Sequence, residues 1–323
     1  MTGILAVYGL KTLDYGYLAR FYPATRLQES CENRSLPLRF LFPRDVPAFL
    51  DPAAGNPLES GNNPSVSDIA ATRLPSRGDF PPGDTVCLVR GRVPPGTIRL
   101  LESAGYRCVN SAKATETAND KLETARLLDR LGIPTPKTAV IATLDDAFDP
   151  GEYPLIAKPR HGSRGDRVRL VGTRAEAHAL SAASPLADDE WLFQEYVASS
   201  RGRDLRVFFA DGRVVAVVER SATSLVSNAS SGGEMRIARF GAGEIGPWID
   251  KTRLIAREVG LWYGTVDFLY RSAPGTPGRP TEDPLDLTVC EVNAAPGFEA
   301  LEAATGIDVA GTLVDGLTHS VPG

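Results

Sequence analysis

The chain has few of the residues that usually build nucleophilic centres and soft metal sites. Among its 323 residues are four cysteines and three histidines. Cys31, Cys87, Cys108 and Cys290 show no C-x-x-C spacing, and Cys87 and Cys290 lie in apolar, strand-like runs. Buried free thiols in a reducing cytoplasm are therefore expected. His161, His178 and His319 are scattered without partner spacing, so none is assigned to catalysis. No run reaches the apolar length of a membrane span. The opening Met1-Thr2-Gly3-Ile4-Leu5-Ala6-Val7-Tyr8 lacks a basic segment and enters a strand directly, so no signal peptide is expected. Basic excess is missing as well: the net charge of -5 argues against a nucleic-acid coat protein. Lysine is scarce, six against 29 arginines, which makes each lysine informative.

What is present alternates between strand and helix periods. Ile4–Tyr8, Leu36–Phe42, Thr85–Arg90 and Tyr106–Asn110 read as strands. Helical segments fall at Leu13–Glu32, interrupted near Pro23, and at Pro95–Gly105, which predicts a parallel α/β unit over residues 1–110. Some forty residues after Phe42 are rich in Pro, Gly, Asn and Ser and read as an irregular loop. A second unit, 111–197, opens with a helix carrying Leu122, Ala125, Leu128 and Leu131, capped by Thr117 or Asn119 and ended by Gly132. Strands follow at Thr138–Ala142, Leu155–Lys158, Val168–Val171 and Trp191–Val197, with a helix capped by Thr173 and Glu176. The third unit, 198–323, holds a hairpin around Asp211-Gly212, a helix at Asp250–Gly260, two strands around Asp267 and Glu291, and a last helix at Ile307–His319.

Several runs carry chemistry. Glu291 and Asn293, two apart on a strand, share a face and offer the oxygen ligands that hard cations prefer. Asp267 on a neighbouring strand supplies a third donor. Lys158 ends a strand and precedes Gly162-Ser163-Arg164-Gly165, where backbone N–H groups could close on phosphate or simply form a solvated hairpin. The stretch is not a Walker A sequence. Gln194-Glu195-Tyr196-Val197 ends a strand and could present backbone groups to a base edge. Asp204-Leu205-Arg206 and Glu219-Arg220 alternate charge on paired strands, which cross-strand pairing alone could explain.

The order of these runs resembles the ATP-grasp superfamily, most nearly the RimK-like amino-acid ligases, over residues 111–323 and more loosely before that through Arg90. The resemblance implies an α/β ATP-grasp fold. A Rossmann-like pre-ATP-grasp domain would precede a small central subdomain and a C-terminal mixed-sheet subdomain, with ATP between the last two. It implies that Lys121 and Lys158 contact phosphates and that Gly162 to Gly165, including Ser163 and Arg164, form a lid. Gln194, Glu195, Tyr196 and Val197 would form the adenine hinge, with Asp204 on the ribose side and Arg206 beside it. Asp267, Glu291 and Asn293 would hold two Mg²⁺ or Mn²⁺ ions, and Arg220 with Lys158 would act in catalysis. Arg90, Arg220 and Asn228 would meet the amino-acid substrate.

The implied activity is ATP-dependent amide formation through an acyl phosphate, with small amino acids as substrates, no nucleic-acid or membrane partner, and homo-oligomerisation left open. Two departures bear on the acceptor. Val226-Ser227-Asn228 stands where such chains carry Arg-Ser-Asn, and Ser230-Ser231-Gly232-Gly233 stands where they carry His-Arg-Gly-Gly. The loss of two cations speaks for a γ-glutamyl-dipeptide type of ligase in specialised metabolism. The alternatives are a ligase of protein or peptide tails and a non-catalytic ATP-binding regulator. Discrimination is expected around Arg220 to Gly233 and in the loop after Phe42.

Overall fold

The computed structural model describes residues 3–9, 15–18, 20–51, 75–162, 165–183, 190–225, 233–272 and 285–319. Three sheets succeed one another along the chain. The first is built by β1 (Gly3–Gly9), α1 (Tyr15–Leu18), α2 (Tyr22–Glu32), β2 (Leu38–Leu41), α3 (Val46–Leu50), β3 (Thr85–Gly91), α4 (Pro95–Ser103) and β4 (Arg107–Val109). Its order is β2-β1-β3-β4 and its pairings are parallel. β1 is buried throughout and β3 up to Gly91, as central strands covered on both faces are. Pro23 opens α2 in its first turn instead of interrupting a longer helix, since a first-turn N–H has no helical acceptor to lose. The stretch expected to be irregular after Phe42 starts with ordered helix: Val46 and Phe49 of α3 are buried, and the Phe42 N–H donates to the buried Asp45 carboxylate at 3.1 Å. Residues 52–74 of that stretch lie outside the described residues.

The second segment contains α5 (Ala112–Asn119), α6 (Lys121–Arg130), β5 (Thr138–Val140), α7 (Leu144–Ala147), β6 (Leu155–Pro159), β7 (Arg169–Val171), α8 (Arg174–Ala182) and β8 (Trp191–Glu195). Its antiparallel sheet is ordered β5-β8-β6-β7. The helix expected from a Thr117 or Asn119 cap is two helices. Ser111 caps α5, and Asp120 caps α6 by accepting from the Leu122 and Glu123 N–H groups. Thr117 and Asn119 sit inside α5, and one carboxylate serves two first-turn donors better than either.

The third sheet comprises β9 (Arg203–Ala210), β10 (Arg213–Ser221), β11 (Glu234–Ile237), β12 (Tyr263–Tyr270) and β13 (Leu287–Asn293), ordered β11-β10-β9-β12-β13 and antiparallel. It is accompanied by α9 (Ala242–Val259), α10 (Glu299–Thr305) and α11 (Val309–His319). Asp211 and Gly212 both take left-handed φ, 50° and 69°, the geometry a two-residue hairpin needs. β11 and α10 were not anticipated, and α9 begins at Ala242, well before the expected Asp250.

Period-2 alternation assigns the two faces of this sheet. Phe208, Ala210, Val218 and Tyr263 share a core with Ile4, Ala6, Tyr8 and Val86 of the first sheet and with Leu313 and Leu317 of α11. Leu205, Val207, Val266 and Phe268 face Trp248 and Ile255 of α9. Ala114, Ala118 and Leu128 join that second cluster, so α5 and α6 pack on the third sheet although their sequence neighbours form the second. Arg26 adds contacts to Glu302 (3.1 Å) and Asp308 (3.0 Å), and Arg34 to Asp315 (2.6 Å). Partly exposed pairs contribute about 0–1 kcal/mol each, so the shared apolar core dominates the junction. Cys31, Cys87 and Cys108 are buried free thiols. Cys290 corrects the expectation: it is only half-buried, because its strand borders a cleft. Among the described residues no helix is long and apolar enough to cross a membrane.

Candidate active site

Between the second and third sheets lies a cleft spanning about 950 Å³, part of it open to solvent. Its floor is a row of charges set by strand register. Arg220 on β10 stands opposite Asp204 on β9, and Asp267 on β12 stands opposite both Arg206 on β9 and Glu291 on β13. Arg220 holds Asp204 with two hydrogen bonds, 2.7 and 2.6 Å, and reaches Asp267 at 2.9 Å. Arg206 grips Asp267 from the other side at 2.7 and 2.6 Å. Alternation of sign is what lets four ionised groups share a largely buried patch. Burial pushes the Asp267 pKa up, but Arg206 and Arg220 outweigh it and hold the carboxyl below its ordinary range. Burial likewise opposes the charge on Arg220, and Asp267 and Asp204 more than restore it.

Glu291 continues the row on β13; Asn293, two residues further and paired with Thr265, follows it by strand alternation but does not border the cleft. Two carboxylates and a carboxamide form an all-oxygen donor set, which fits Mg²⁺. Among the described residues no three His, Cys, Asp or Glu side chains form a metal cluster, so a site on Asp267 and Glu291 would take its third side-chain donor from the Asn293 amide. That amide's nitrogen is buried and has no hydrogen-bond partner among the described residues. Asp267 keeps acceptor capacity while it holds two guanidinium groups, since a carboxylate has about four lone-pair sites.

The opposite wall is cationic. Lys158 at the end of β6 is buried, and its Nζ donates to Gln194 Oε1 at 2.9 Å. Gln194 in turn donates to Thr138 Oγ1 at 2.8 Å, so its side chain serves to hold the lysine. Among the described residues Lys158 has no ion-pair partner. Lys121 opens α6, donates to Gly162 O at 2.6 Å and lies 3.6 Å from Glu291. Burial lowers its pKa, and Lys158 adds to the effect while Glu291 opposes it.

Arg160 binds these pieces together. It donates to both Asp120 oxygens at 2.9 and 2.6 Å and to Glu190 at 2.7 Å. The α6 N-terminus is thereby tied to the root of the Gly162 loop. Burial would raise the Asp120 pKa, but Arg160 and the Glu123 N–H hold it below the usual range. A depressed folded pKa adds stability above the unfolded value, and this is lost as pH falls through the folded one. Asp120→Asn should therefore be less stable than wild type at neutral pH. The gap should narrow as pH drops below about 4, as followed by thermal melts across pH.

At the far end, Glu195, Tyr196 and Val197 border the cleft with Ile156, Val168 and Leu269 as apolar neighbours. The Glu195 N–H donates to Lys137 O at 2.8 Å, and its carboxylate pairs with Arg271 at 3.0 Å. The cleft thus gathers Lys121, Lys158, Gly162, Gly165, Gln194 to Val197, Asp204, Arg220, Asp267 and Glu291. Asp204 spends both oxygens on Arg220. Arg206 does not border the cleft and acts on it through Asp267. Arg90 lies elsewhere, buried at the junction of the first and third sheets, with its guanidinium over the rings of Tyr263 (5.5 Å) and Phe298 (4.9 Å). Ser163, Arg164 and Asn228 lie outside the described residues, as does the altered stretch from Val226 to Gly232. Reading the sequence assigned no role to Asp120 or Arg160, although both lie in the runs that carry the resemblance, and it missed the apolar wall. A Val, Ile or Leu inside a strand carries no mark of which side faces a ligand.

Comparison with known proteins gives this geometry a family. Residues 118–317 match the RimK-like ATP-grasp domain. The chain is 30% identical over 313 residues, 94% of each chain, to a probable alpha-L-glutamate ligase of Enterobacter sp. (strain 638). It is 31% identical over 308 residues, 93% of each chain, to the ribosomal protein bS6--L-glutamate ligase of Salmonella paratyphi B (strain ATCC BAA-1250 / SPB7). The solved structure of the ATP-grasp ligase PsnB, complexed with minimal precursor, Mg and ADP, is similar with a TM-score of 0.63 at 17% identity, over 99% of both chains. The chain belongs to the RimK-like ATP-grasp family, with the α/β fold expected of it. It is an ATP-dependent carboxylate–amine ligase.

Proposed function

We propose that the enzyme joins L-glutamate or another small amino acid to an amino acid, as a γ-glutamyl-dipeptide type of ligase in specialised metabolism. The observation that carries the site assignment is the facing of two lysines, the buried Lys158 and the partly buried Lys121, by the Asp267–Glu291 rung across one cleft. In this reading the Gly162 to Gly165 loop, with Ser163 and Arg164, covers the triphosphate. The Gln194 to Val197 hinge and the Ile156–Leu269 wall take the base, and Asp204 lies on the ribose side. Lys121 and Lys158 hold the phosphate oxygens.

Asp267, Glu291 and Asn293 would hold two Mg²⁺ or Mn²⁺ ions, which supply charge neutralisation at the phosphoryl oxygens. A carboxylate oxygen of the acid substrate attacks the γ-phosphorus, the bond to the β-phosphate oxygen breaks, and ADP leaves. The amine then attacks the acyl carbon and phosphate departs, so no side-chain nucleophile is needed. Arg220 offsets charge on the acyl phosphate, with Asn228 assigned to the amino-acid side; Arg90, buried away from the cleft, is left out of this reading. A closed glycine lid keeps water from the acyl phosphate.

Incubation with ATP, Mg²⁺, glutamate and amino-acid pools should release phosphate and yield a new amide mass; ADP formation without any amide would sink the reading. The 31% identity to a bS6-modifying ligase favours a second reading, in which the acceptor is a protein tail. Val226, Ser230 and Ser231 in place of the family's cationic and histidine positions speak against it. Glutamylated protein tails in the same assay, with no small amide, would decide for it.

A further inference from the structure

The end of the β12–β13 ladder is finished by a side chain from another sheet. The last paired rung is Thr265 with Asn293. Beyond it the chain turns through Ala294, Ala295 and Pro296, and backbone pairing stops. The two strands are nevertheless close here: a Cβ on Gly264 would lie 2.6 Å from the Asn293 carbonyl oxygen. Asn110, buried just after β4, occupies the position of the missing rung. Its Nδ2 donates to Tyr263 O at 2.8 Å and to Ala294 O at 2.7 Å. Its Oδ1 accepts from the Trp262 N–H at 2.7 Å and the Tyr263 N–H at 3.3 Å. Two carbonyls on one side and two N–H groups on the other fix which way the amide points, and all four of its hydrogen bonds are used. Nearby, Arg90 donates to Pro296 O at 2.9 Å, and the Tyr263 hydroxyl donates to Val89 O. The ends of β3 and β4 thus clasp both metal strands.

We infer that Asn110 is a positioning residue for the cation site. It stands in for a peptide unit, clamps β12 to the residue after Asn293, and so sets where the Asn293 amide meets Asp267 and Glu291. The inference rests on the reading that those three residues hold the metal. Loss of a hydrogen-bonded support behind a metal ligand typically weakens metal binding by about 10–100-fold.

The test uses full-length Asn110→Ala and the nearly isosteric Asn110→Asp. The aspartate keeps the acceptor for Trp262 and Tyr263 but faces two carbonyls without a donor. Thr135→Val is the control, because Thr135 Oγ1 also hydrogen-bonds β13, at Val289 O (2.9 Å). The readouts are ADP affinity without metal, and Mn²⁺ affinity of the ADP complex from the electron paramagnetic resonance of free Mn²⁺. Both Asn110 variants should bind Mn²⁺ at least about tenfold more weakly, ADP affinity should move by less than about twofold, and Thr135→Val should match wild type. Mn²⁺ binding unchanged in both Asn110 variants, or equally weakened in Thr135→Val, overturns the inference. Asp267→Asn is run alongside: wild-type Mn²⁺ binding in that variant would overturn the metal assignment itself, whatever Asn110 does.

Discussion

Asp267→Asn should release no phosphate above background, a loss of at least about 10³-fold in turnover. Its carboxylate on the cleft floor is held by two guanidinium groups, Arg206 and Arg220, and it stands on the same rung as Glu291. The amide removes the negative charge a divalent cation needs. It also leaves two arginines with less counter-charge in a buried patch, and breaking a buried pair costs about 3–5 kcal/mol. Stability and activity should therefore fall together. Arg206→Gln added to Asp267→Asn separates the two effects. The double variant rebalances charge, so its urea midpoint should recover part of the loss while turnover stays absent. Recovery of turnover with stability would show that Asp267 only serves the fold.

Arg220→Met is the second large effect. Arg220 is buried and its fork spans Asp204 and Asp267, so the apolar substitute removes the guanidinium that holds both carboxylates and leaves Asp267 to Arg206. Unfolding free energy should drop by about 3–5 kcal/mol. Transfer from ATP to the carboxylate should slow by about 10²–10³-fold, because a preorganised cation at the developing charge is lost. Arg220→Lys keeps the charge but cannot bind Asp204 through two prongs and reach Asp267 as well. It should recover more stability than rate, as read from urea melts and single-turnover ADP formation. Full activity in Arg220→Met would remove this residue from the chemistry.

Much of this site was legible because the relevant signals are local. Strand alternation places Asp204 with Arg206, and Glu291 with Asn293, on one face, whatever the rest of the chain does. The Asp211-Gly212 turn needs only two left-handed residues, and it fixes β9 against β10. The lysines stood out against an arginine-rich background. Signals that require knowing what lies across space were not legible. β11 and α10 are short, and β11 is largely exposed, so neither carries a strong apolar period. The loop after Phe42 looked irregular by composition, yet Val46 and Phe49 find a core supplied by other segments.

The sequence by itself determined the alternating elements, the acidic and cationic runs and their order, because periodicity and turn chemistry act over a few residues. Only the tertiary structure decided which charges neutralise which. Arg160 meets Asp120 from 40 residues away, Arg206 meets Asp267 from 61, and Asn110 reaches Ala294 from 184. Those pairings depend on how three sheets share their cores, and a buried charge or amide has to take whatever partner the packing brings to it.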